Sequence, residues 1–188
     1  QKECGRNLIC GHICKNKCDQ NCICNYACQY TCKHSKCGNS CGEICINCNE
    51  QCSLQCKHSK CSKLCYELCD RKPCNERCDK LLSCGHQCIG LCGERCPSVC
   101  RVCEPHDSCF DILFGNEEDP NSMFYQCNCN HIFEVKGLDT YFTQNEGSVQ
   151  MLKCPLCKAI LTNESRYSNV IKMKIKDLSK VKEKIIEM

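Results

Sequence analysis

The sequence predicts a small metal-stabilised protein, in which a tandem array of Cys/His repeats with little regular secondary structure precedes a small α+β zinc module and a C-terminal amphipathic helix. Thirty of the 188 residues are cysteine, and a self-similar cysteine pattern fills residues 4–103. Phe, Trp and Met are absent from residues 1–103. Ordering a residue costs about 1.5 kcal/mol, so this sparse apolar content cannot by itself fold the array.

The array contains four repeats, each opening on a Cys-x-His element followed by a further cysteine. The repeats span about 10–31, 32–55, 56–83 and 84–103, and each holds six cysteines and one histidine. Cys4 precedes Cys10 with the spacing of Cys78 before Cys84. It therefore has the position of the last ligand of a preceding repeat.

Thiolate and imidazole groups in sets of four are what structural zinc prefers. The predicted ligands of the array are Cys4, Cys10, His12, Cys14, Cys18, Cys22, Cys24, Cys28, Cys32, His34, Cys37, Cys41, Cys45, Cys48, Cys52, Cys56, His58, Cys61, Cys65, Cys69, Cys74, Cys78, Cys84, His86, Cys88, Cys92, Cys96, Cys100 and Cys103. Each structural zinc contributes about 10–16 kcal/mol of apparent free energy in small peptides. We expect about seven or eight zinc ions per chain to take the place of an apolar core.

The spacing of the ligands leaves their pairing open. Residues four apart share one face of a helical turn, so Cys41 and Cys45 are expected to offer two sulfurs to one ion, as are Cys14 and Cys18. Seven ligands per repeat do not divide by four. Either one ligand is idle, or a site borrows a ligand from the neighbouring repeat, which would join the repeats into a short solenoid.

A secreted disulfide scaffold is the competing interpretation of so many cysteines. Four of the six histidines fall two residues after the first cysteine of a repeat. A disulfide has no use for a histidine at a fixed position, whereas a zinc site does. The histidines therefore favour zinc.

Residues 104–165 have the composition of a small zinc module with an apolar core, since all five phenylalanines lie there. Short apolar runs flank a first metal knuckle: Met123–Gln126 is expected to form a strand, and Ile132–Val135 a strand or the start of a helix. A helical turn is expected over Leu138–Phe142. A second knuckle completes a predicted Cys3His site made of Cys129, His131, Cys154 and Cys157, with Cys127 as an alternative to Cys129. Cys109 is expected to be a buried thiol and His106 a solvated loop residue.

Residues 166–188 are predicted to form an amphipathic helix, because Ile171, Ile175, Leu178 and Ile185 recur at helical spacing. Its apolar face is expected to pack back on the zinc module, with a partner or dimer interface as the alternative. No apolar run is long enough to span a membrane.

The charge distribution gives a mixed indication for nucleic acid. Residues 1–103 carry fifteen Lys/Arg and nine Asp/Glu, which hints at a basic surface. Thiolates and zinc belong in the sum, and they make the loaded repeats near neutral or mildly acidic. Lysines flank two of the histidines at Lys33, Lys36, Lys57 and Lys60, so RNA is a candidate partner. Aromatic residues are too few for an obvious base-stacking platform.

The repeating Cys/His pattern resembles the zinc finger of the nuclear X-box-binding factor type. The chain further resembles the zinc-finger-containing superfamily 1 RNA helicases of that type at Leu82–Cys103, Ile112–Pro120, His131–Val135, Gly137–Asp139 and Cys154–Cys157. The resemblance implies that this segment is a C-terminal zinc-binding region following a helicase in a longer chain. It also implies roles in RNA-based silencing, including small-RNA-linked heterochromatin, or in antiviral RNA sensing. No phosphate-binding Gly-x4-Gly-Lys-Ser/Thr loop occurs in the chain.

The function that these observations favour is non-enzymatic: a zinc-binding region that contacts RNA, silencing proteins or signalling proteins. One alternative is a ubiquitin ligase module, because Cys100–Cys103, Cys129–His131 and Cys154–Cys157 resemble parts of a RING domain. A partial RING-like module is therefore expected over residues 104–165. A DNA-binding transcription regulator is a further alternative. Reduced thiols at this density indicate an intracellular protein, in cytoplasm or nucleus.

Overall fold

Short backbone pairings between neighbouring loops, rather than helices or sheets, build the repeat array. A computed structural model of the chain describes residues 3–17, 22–104, 119, 121–145, 147–148 and 150–186, so Cys18, His106 and Cys109 lie outside the described residues. Within the described part of the array, the secondary structure consists of isolated antiparallel bridges and turns. The prediction of little regular secondary structure is confirmed.

Two kinds of bridge alternate along the array. One kind closes a Cys-x-His loop at the start of a repeat, by pairing the residues on either side of its first cysteine, as with Asn7 and Ile13 or Gln55 and Lys60. The other kind joins a repeat to the next, as in the pairing of Ala27 with Ser40 and of Gln51 with Leu64. Each repeat is therefore tied by backbone hydrogen bonds to its neighbour, as expected of a solenoid.

The Cys-x-His loops have two lengths, and glycine marks the shorter one. Gly11 and Gly85 follow the first cysteine of the five-residue loops and have φ of +87° and +82°. This left-handed conformation is easy for glycine and strained for other residues. The six-residue loops carry Lys33 and Lys57 at the same position, outside the positive-φ region.

The regular elements of the described residues lie in the C-terminal module. Strands β1 (Phe124–Gln126) and β2 (Ile132–Glu134) pair antiparallel, with Tyr125 opposite Phe133. Helix α1 (Val135–Gln144) follows β2 directly. Helix α2 (Ser168–Ile186) is the predicted amphipathic helix. The strands confirm the predicted runs, and α1 is longer than the one or two turns expected.

The main apolar core joins this module to the fourth repeat. It comprises Leu91, Tyr125, Cys127, Phe133, Val135, Leu138, Phe142, Leu152, Cys154, Leu161, Tyr167 and Ile171. A smaller cluster of Ile89, Phe124 and Ile132 lies at the same junction, where the Phe124 amide donates to the Ile89 carbonyl at 2.9 Å. Because both clusters contain residues of the array, the module and the fourth repeat share one core.

Helix α2 lies along the array as well as on its own module. At its start, the Asn169 side chain exchanges hydrogen bonds of 2.7 and 2.9 Å with the backbone of Cys69. Further along, Lys172 donates to the Glu67 carbonyl and Lys182 to the Glu43 carbonyl. Ile171 of this helix belongs to the core of the module, so the expectation that its apolar face packs back on the zinc module is confirmed, and its contacts extend to the second repeat.

Arg166 joins the module to the third repeat just before α2. Its guanidinium donates to both carboxylate oxygens of Asp139 at 3.1 and 2.7 Å, and also to the Cys74 carbonyl and the Asn75 side chain. Its side chain is 7% exposed. A forked guanidinium is suited to such multiple acceptors.

We expect Arg166→Met to destabilise the docked module by about 2–3 kcal/mol, because charged hydrogen bonds are lost and Asp139 is left without its buried partner. The matched control is Lys136→Met, which breaks an ion pair with Asp119 whose lysine is 80% exposed. Such exposed pairs contribute about 0–1 kcal/mol. Denaturant unfolding followed by helical circular dichroism measures both variants, and equal midpoints would contradict the role given to Arg166.

Candidate metal centres

Five tetrads of one histidine and three cysteines are present in the described residues. In each, the four ligand atoms lie within 4.8 Å of one another. The tetrads are Cys10–His12–Cys24–Cys41, Cys32–His34–Cys48–Cys65, Cys56–His58–Cys74–Cys92, Cys84–His86–Cys100–Cys103 and Cys129–His131–Cys154–Cys157. Four further groups of potential metal ligands are found among the described residues.

The distances within the tetrads fit zinc. A tetrahedral site with Zn–S of about 2.3 Å and Zn–N of about 2.0–2.1 Å places sulfurs about 3.8 Å apart and sulfur about 3.5 Å from nitrogen. The structure has Cys10 Sγ and Cys24 Sγ each 3.5 Å from His12 Nδ1. The corresponding distance from Cys74 to His58 is 3.3 Å and from Cys48 to His34 is 3.6 Å. The donor set and its spacing are therefore those of structural zinc.

The ligands of a tetrad come from two repeats. In the first tetrad, the loop Cys10–Cys14 supplies Cys10 and His12, and Cys24 follows in the same repeat, but Cys41 belongs to the second repeat. Cys65 and Cys92 complete the next two tetrads in the same way. Of the two pairings left open by the sequence, the structure favours borrowing from the neighbour.

The fourth tetrad departs from this arrangement. It contains Cys84, His86 and Cys100 at the usual positions, and its fourth ligand is Cys103, only three residues after Cys100. The backbone amide of Cys103 donates to Cys100 Sγ at 3.4 Å. The last repeat thus closes its site with a ligand of its own.

A second kind of site contains cysteine alone. Sulfur pairs of this kind are Cys4 and Cys22, Cys28 and Cys45, Cys52 and Cys69, and Cys78 and Cys96, separated by 3.7, 3.7, 3.8 and 3.7 Å. These distances also match the edge of a zinc–sulfur tetrahedron. Cys14, Cys37, Cys61 and Cys88 contact the four pairs in the same order.

Turns rather than helices bring the closely spaced cysteines together. Cys41 and Cys45 both contact Cys28, as expected, but the segment between them is a turn in which the Glu43 amide donates to the Ser40 carbonyl. The prediction of a helical turn at this position is wrong. Glycine at position 42 allows the turn to pack against the first repeat, because a Cβ on Gly42 would lie 2.8 Å from the Cys24 carbonyl oxygen.

Backbone amides and neighbouring thiols set the charge state of the sulfurs. The Cys103 amide, above all, lowers the pKa of Cys100 to about 7, and the Ala159 amide lowers that of Cys157. A hydrogen bond from Cys41 lowers the pKa of Cys10 to about 4, while the pKa of Cys41 is raised by the same contact. Several thiolates crowded together need a cation, which is what bound zinc supplies.

The C-terminal module contains the predicted Cys3His arrangement. His131 Nδ1 lies 3.4 Å from Cys129 Sγ and 3.5 Å from Cys154 Sγ. The β1–β2 connection positions the first two ligands, and a turn after Leu152 positions Cys154 and Cys157. Cys127 is fully buried in the apolar core and is not a member of the tetrad. The structure therefore places Cys129, rather than Cys127, beside His131.

Two of the three pieces that resemble a RING domain, Cys129–His131 and Cys154–Cys157, come together in one tetrad, and the third piece belongs to another site. Cys100 and Cys103 lie with Cys84 and His86 in the fourth repeat, apart from the tetrad of Cys129 and its partners. A cross-brace would need them in the C-terminal module. Within the described residues, one of the two zinc sites of a RING domain is present in the module, namely that of Cys129, His131, Cys154 and Cys157.

Two lysines of α2 lie against all-cysteine sites, a contact that the sequence analysis did not predict. Lys172 Nζ lies 3.1 Å from Cys69 Sγ, and Lys182, which is 7% exposed, interacts electrostatically with Cys45. Burial alone would raise the pKa of Cys69, but the Lys172 ammonium lowers it below its usual value. A zinc ion with four thiolates carries net negative charge, which these ammonium groups offset.

We expect Lys172→Met to speed zinc loss from the site of Cys52 and Cys69 several-fold, because the ammonium that stabilises the Cys69 thiolate is removed. The matched control is Lys176→Met, which changes an exposed lysine of the same helix. Zinc transfer to a colorimetric chelator gives both rates. Equal rates for the two variants would show that Lys172 does not stabilise the site.

The known proteins to which this chain is similar share one description. The chain is 45% identical over 120 residues to the mouse NFX1-type zinc finger-containing protein 1, covering 62% of this chain and 6% of that protein. The human protein of the same name is 44% identical over 120 residues, with the same coverage. The homolog from Caenorhabditis elegans is 34% identical over 103 residues, covering 54% of this chain and 4% of that protein. These proteins are homologues of the chain, and they support the presence of an NFX1-type zinc-finger region in it.

The zinc-finger region spans a small part of its relatives, about 6% of the mouse and human proteins. No protein-family model matches the chain, and no solved structure matches it. Among the described residues, neither helix has the length and apolar character needed to cross a bilayer. The tetrads and the homologues together support zinc as the cofactor, in keeping with the seven or eight ions predicted.

Proposed function

We propose that this chain is the zinc-binding, non-catalytic part of a longer protein of the RNA-helicase family, and that it contacts RNA or protein partners. The resemblance in the sequence places such proteins in RNA-based silencing, including small-RNA-linked heterochromatin, or in antiviral RNA sensing. We expect an intracellular location, in cytoplasm or nucleus, because free thiol ligands persist in reducing compartments.

The proposal of a non-catalytic function rests on the observation that each zinc site has a complete set of protein ligands. Each of the five tetrads offers four protein ligands to one ion. Catalytic zinc keeps a coordination position for water or substrate, whereas a zinc with four protein ligands has none. The ions therefore hold loops in place, and the function lies on the surface that those loops display.

Repeated lysines on that surface support RNA as a partner. The second and third repeats open on the same hexapeptide, at Cys32–Cys37 and Cys56–Cys61, and its two lysines are exposed in both copies. One of them, Lys57, pairs with Asp79. Exposed lysines at matching positions of a repeat suit a regularly spaced phosphate backbone.

Binding of the zinc-loaded protein to single-stranded RNA, double-stranded RNA and duplex DNA of equal length, measured by anisotropy at several salt concentrations, tests this proposal. The test variant combines Lys33→Glu, Lys36→Glu and Lys60→Glu. The control combines Lys72→Glu, Lys176→Glu and Lys184→Glu, which makes the same charge change at exposed positions elsewhere.

We expect the test variant to bind RNA at least tenfold more weakly than the control, with a salt slope lower by about 2, since each lost phosphate contact lowers it by about 0.7 on single strands. Equal weakening in both variants would show that RNA binds by general charge attraction. It would contradict the role proposed for the repeated lysines. Absence of RNA binding would leave proteins as the partners, and preference for duplex DNA would favour a transcription regulator.

A ubiquitin-discharge assay with a panel of conjugating enzymes separates this proposal from a ligase. We expect no zinc-dependent discharge, because Cys100 and Cys103 belong to the fourth repeat rather than to a second site of the module. Discharge that depends on His131 would replace the proposal with an enzymatic function.

A further inference from the structure

Cys41 lies between two metal sites of different composition. It completes the tetrad of Cys10, His12 and Cys24, and it also lines one small cavity with Cys28 and Cys45, where its thiol interacts with that of Cys28. Cys28 in turn contacts Cys37 and Cys45, at 3.7 Å from the latter. The set of Cys28, Cys37 and Cys45 has three sulfurs, and Cys41 is the fourth sulfur in contact with it.

We propose that Cys41 is a bridging thiolate, which binds one zinc ion with Cys10, His12 and Cys24 and a second zinc ion with Cys28, Cys37 and Cys45. The two sites would then form one two-zinc cluster with six thiolates and one imidazole. Each ion has four ligands, and the cluster contains residues of two consecutive repeats.

The backbone around Cys41 holds it at this central position. Its amide donates to the Tyr26 carbonyl at 2.7 Å, and the next amide, of Gly42, donates to the Cys24 carbonyl at 2.8 Å. Tyr26 lies between Cys24, a ligand of the first site, and Cys28, a ligand of the second. Cys41 is therefore fixed against the segment that contributes one ligand to each site.

The same backbone arrangement recurs twice. The Cys65 amide donates to the Glu50 carbonyl and the Cys92 amide donates to the Glu76 carbonyl, both at 2.8 Å. Glu50 lies between Cys48 and Cys52, and Glu76 lies between Cys74 and Cys78. Cys65 and Cys92 are thus held in the position of Cys41, and the proposal extends to them.

The number of ligands agrees with sharing. The thirty-three predicted Cys and His ligands fill eight sites of four with one ligand left over. The described residues contain five tetrads and four all-cysteine sets, which makes nine sites. Counting Cys41, Cys65 and Cys92 twice supplies thirty-six ligand positions, enough for nine complete sites.

A shared cluster would carry a different charge from two separate sites. A two-zinc cluster with six thiolates carries a net charge of about −2, whereas separate Cys3His and Cys4 sites would total about −3. Lys182 of α2 is buried against this region and interacts with Cys45. Bridging therefore leaves less negative charge for that buried ammonium to offset.

Substitution of the shared cysteine distinguishes a bridge from two separate sites. Native mass spectrometry after challenge with a fixed concentration of chelator counts the zinc ions that Cys41→Ser retains. Cys37→Ser is the matched control, because Cys37 belongs to the all-cysteine set alone. We expect Cys41→Ser to lose two ions where Cys37→Ser loses one.

A spectroscopic test on the unsubstituted protein avoids any dependence on folding of the variant. In protein loaded with cadmium-113, a sulfur bound to two ions produces scalar coupling between their nuclei. With zinc, X-ray absorption should show metal–metal scattering at less than about 4.6 Å, twice the Zn–S distance. Absence of both signals, or equal zinc loss from Cys41→Ser and Cys37→Ser, would overturn the bridge.

Discussion

Removal of zinc is expected to abolish ordered structure throughout residues 3–17 and 22–88. As far as Cys88, every buried hydrophobic side chain of the described residues is a cysteine. Once the metal leaves, the thiolates repel one another and become hydrated. No interaction then remains to hold the loops together. One structural zinc contributes about 10–16 kcal/mol, which equals or exceeds the whole stability of an ordinary domain at about 5–15 kcal/mol. Loss of even a few ions should therefore suffice.

Amide hydrogen exchange before and after chelation measures this prediction, with the metal content verified by mass spectrometry. We expect the protected amides of the bridges, such as those of Cys28 and Cys52, to exchange at the rate of an unfolded chain. Zinc added back under reducing conditions should restore protection, and magnesium should not. Retained protection in verified metal-free protein would show that something other than zinc folds the array.

The second large effect is expected from Cys154→Ser, compared with Cys127→Ser. Both sulfurs are fully buried in the same apolar core, so the two substitutions place a hydroxyl in similar surroundings. Cys154 is a member of the tetrad with His131, and Cys127 is not. We expect Cys154→Ser to lose one zinc ion and to unfold the module, whereas Cys127→Ser keeps every ion and costs about 1–3 kcal/mol for the buried hydroxyl.

Zinc content and tyrosine near-ultraviolet circular dichroism measure the two variants together. The dichroism reports packing of Tyr125 and Tyr167, whose rings meet edge to face at 5.4 Å in the core. Loss of an ion from Cys127→Ser, with full metal content in Cys154→Ser, would reverse the assignment and make Cys127 the ligand.

The sequence was sufficient to predict the repeats, the histidine positions and the metal chemistry. A histidine two residues after a cysteine at regular intervals has few explanations other than a metal site. The C-terminal Cys3His arrangement was also predictable, because both knuckles have short, recognisable spacings. These signals are local, and local patterns are what a single sequence displays.

The pairing of ligands was not predictable, because it depends on contacts between repeats. Cys41 lies beside Cys10 because the bridge between Ala27 and Ser40, and the hydrogen bond from the Cys41 amide to the Tyr26 carbonyl, join the two repeats, which no spacing rule indicates. The helical turn expected at Cys41 and Cys45 was wrong because Gly42 must pass close to the Cys24 carbonyl. The contacts of Lys172 and Lys182 were equally hidden, since lysines on an amphipathic helix ordinarily face solvent.

The fourth ligand of each tetrad also gives the array a direction. The tetrads of the first three repeats each need a cysteine of the repeat that follows, whereas the tetrad of the last repeat, with Cys103, needs no following repeat. It therefore acts as a terminal cap, and the array can lengthen or shorten only ahead of it. A duplication or deletion of one whole unit, such as residues 32–55, would keep every ion supplied with ligands. A cut that does not remove or add a whole repeat period would leave one ion a ligand short, so such arrays should evolve, and can be re-engineered, only in complete periods.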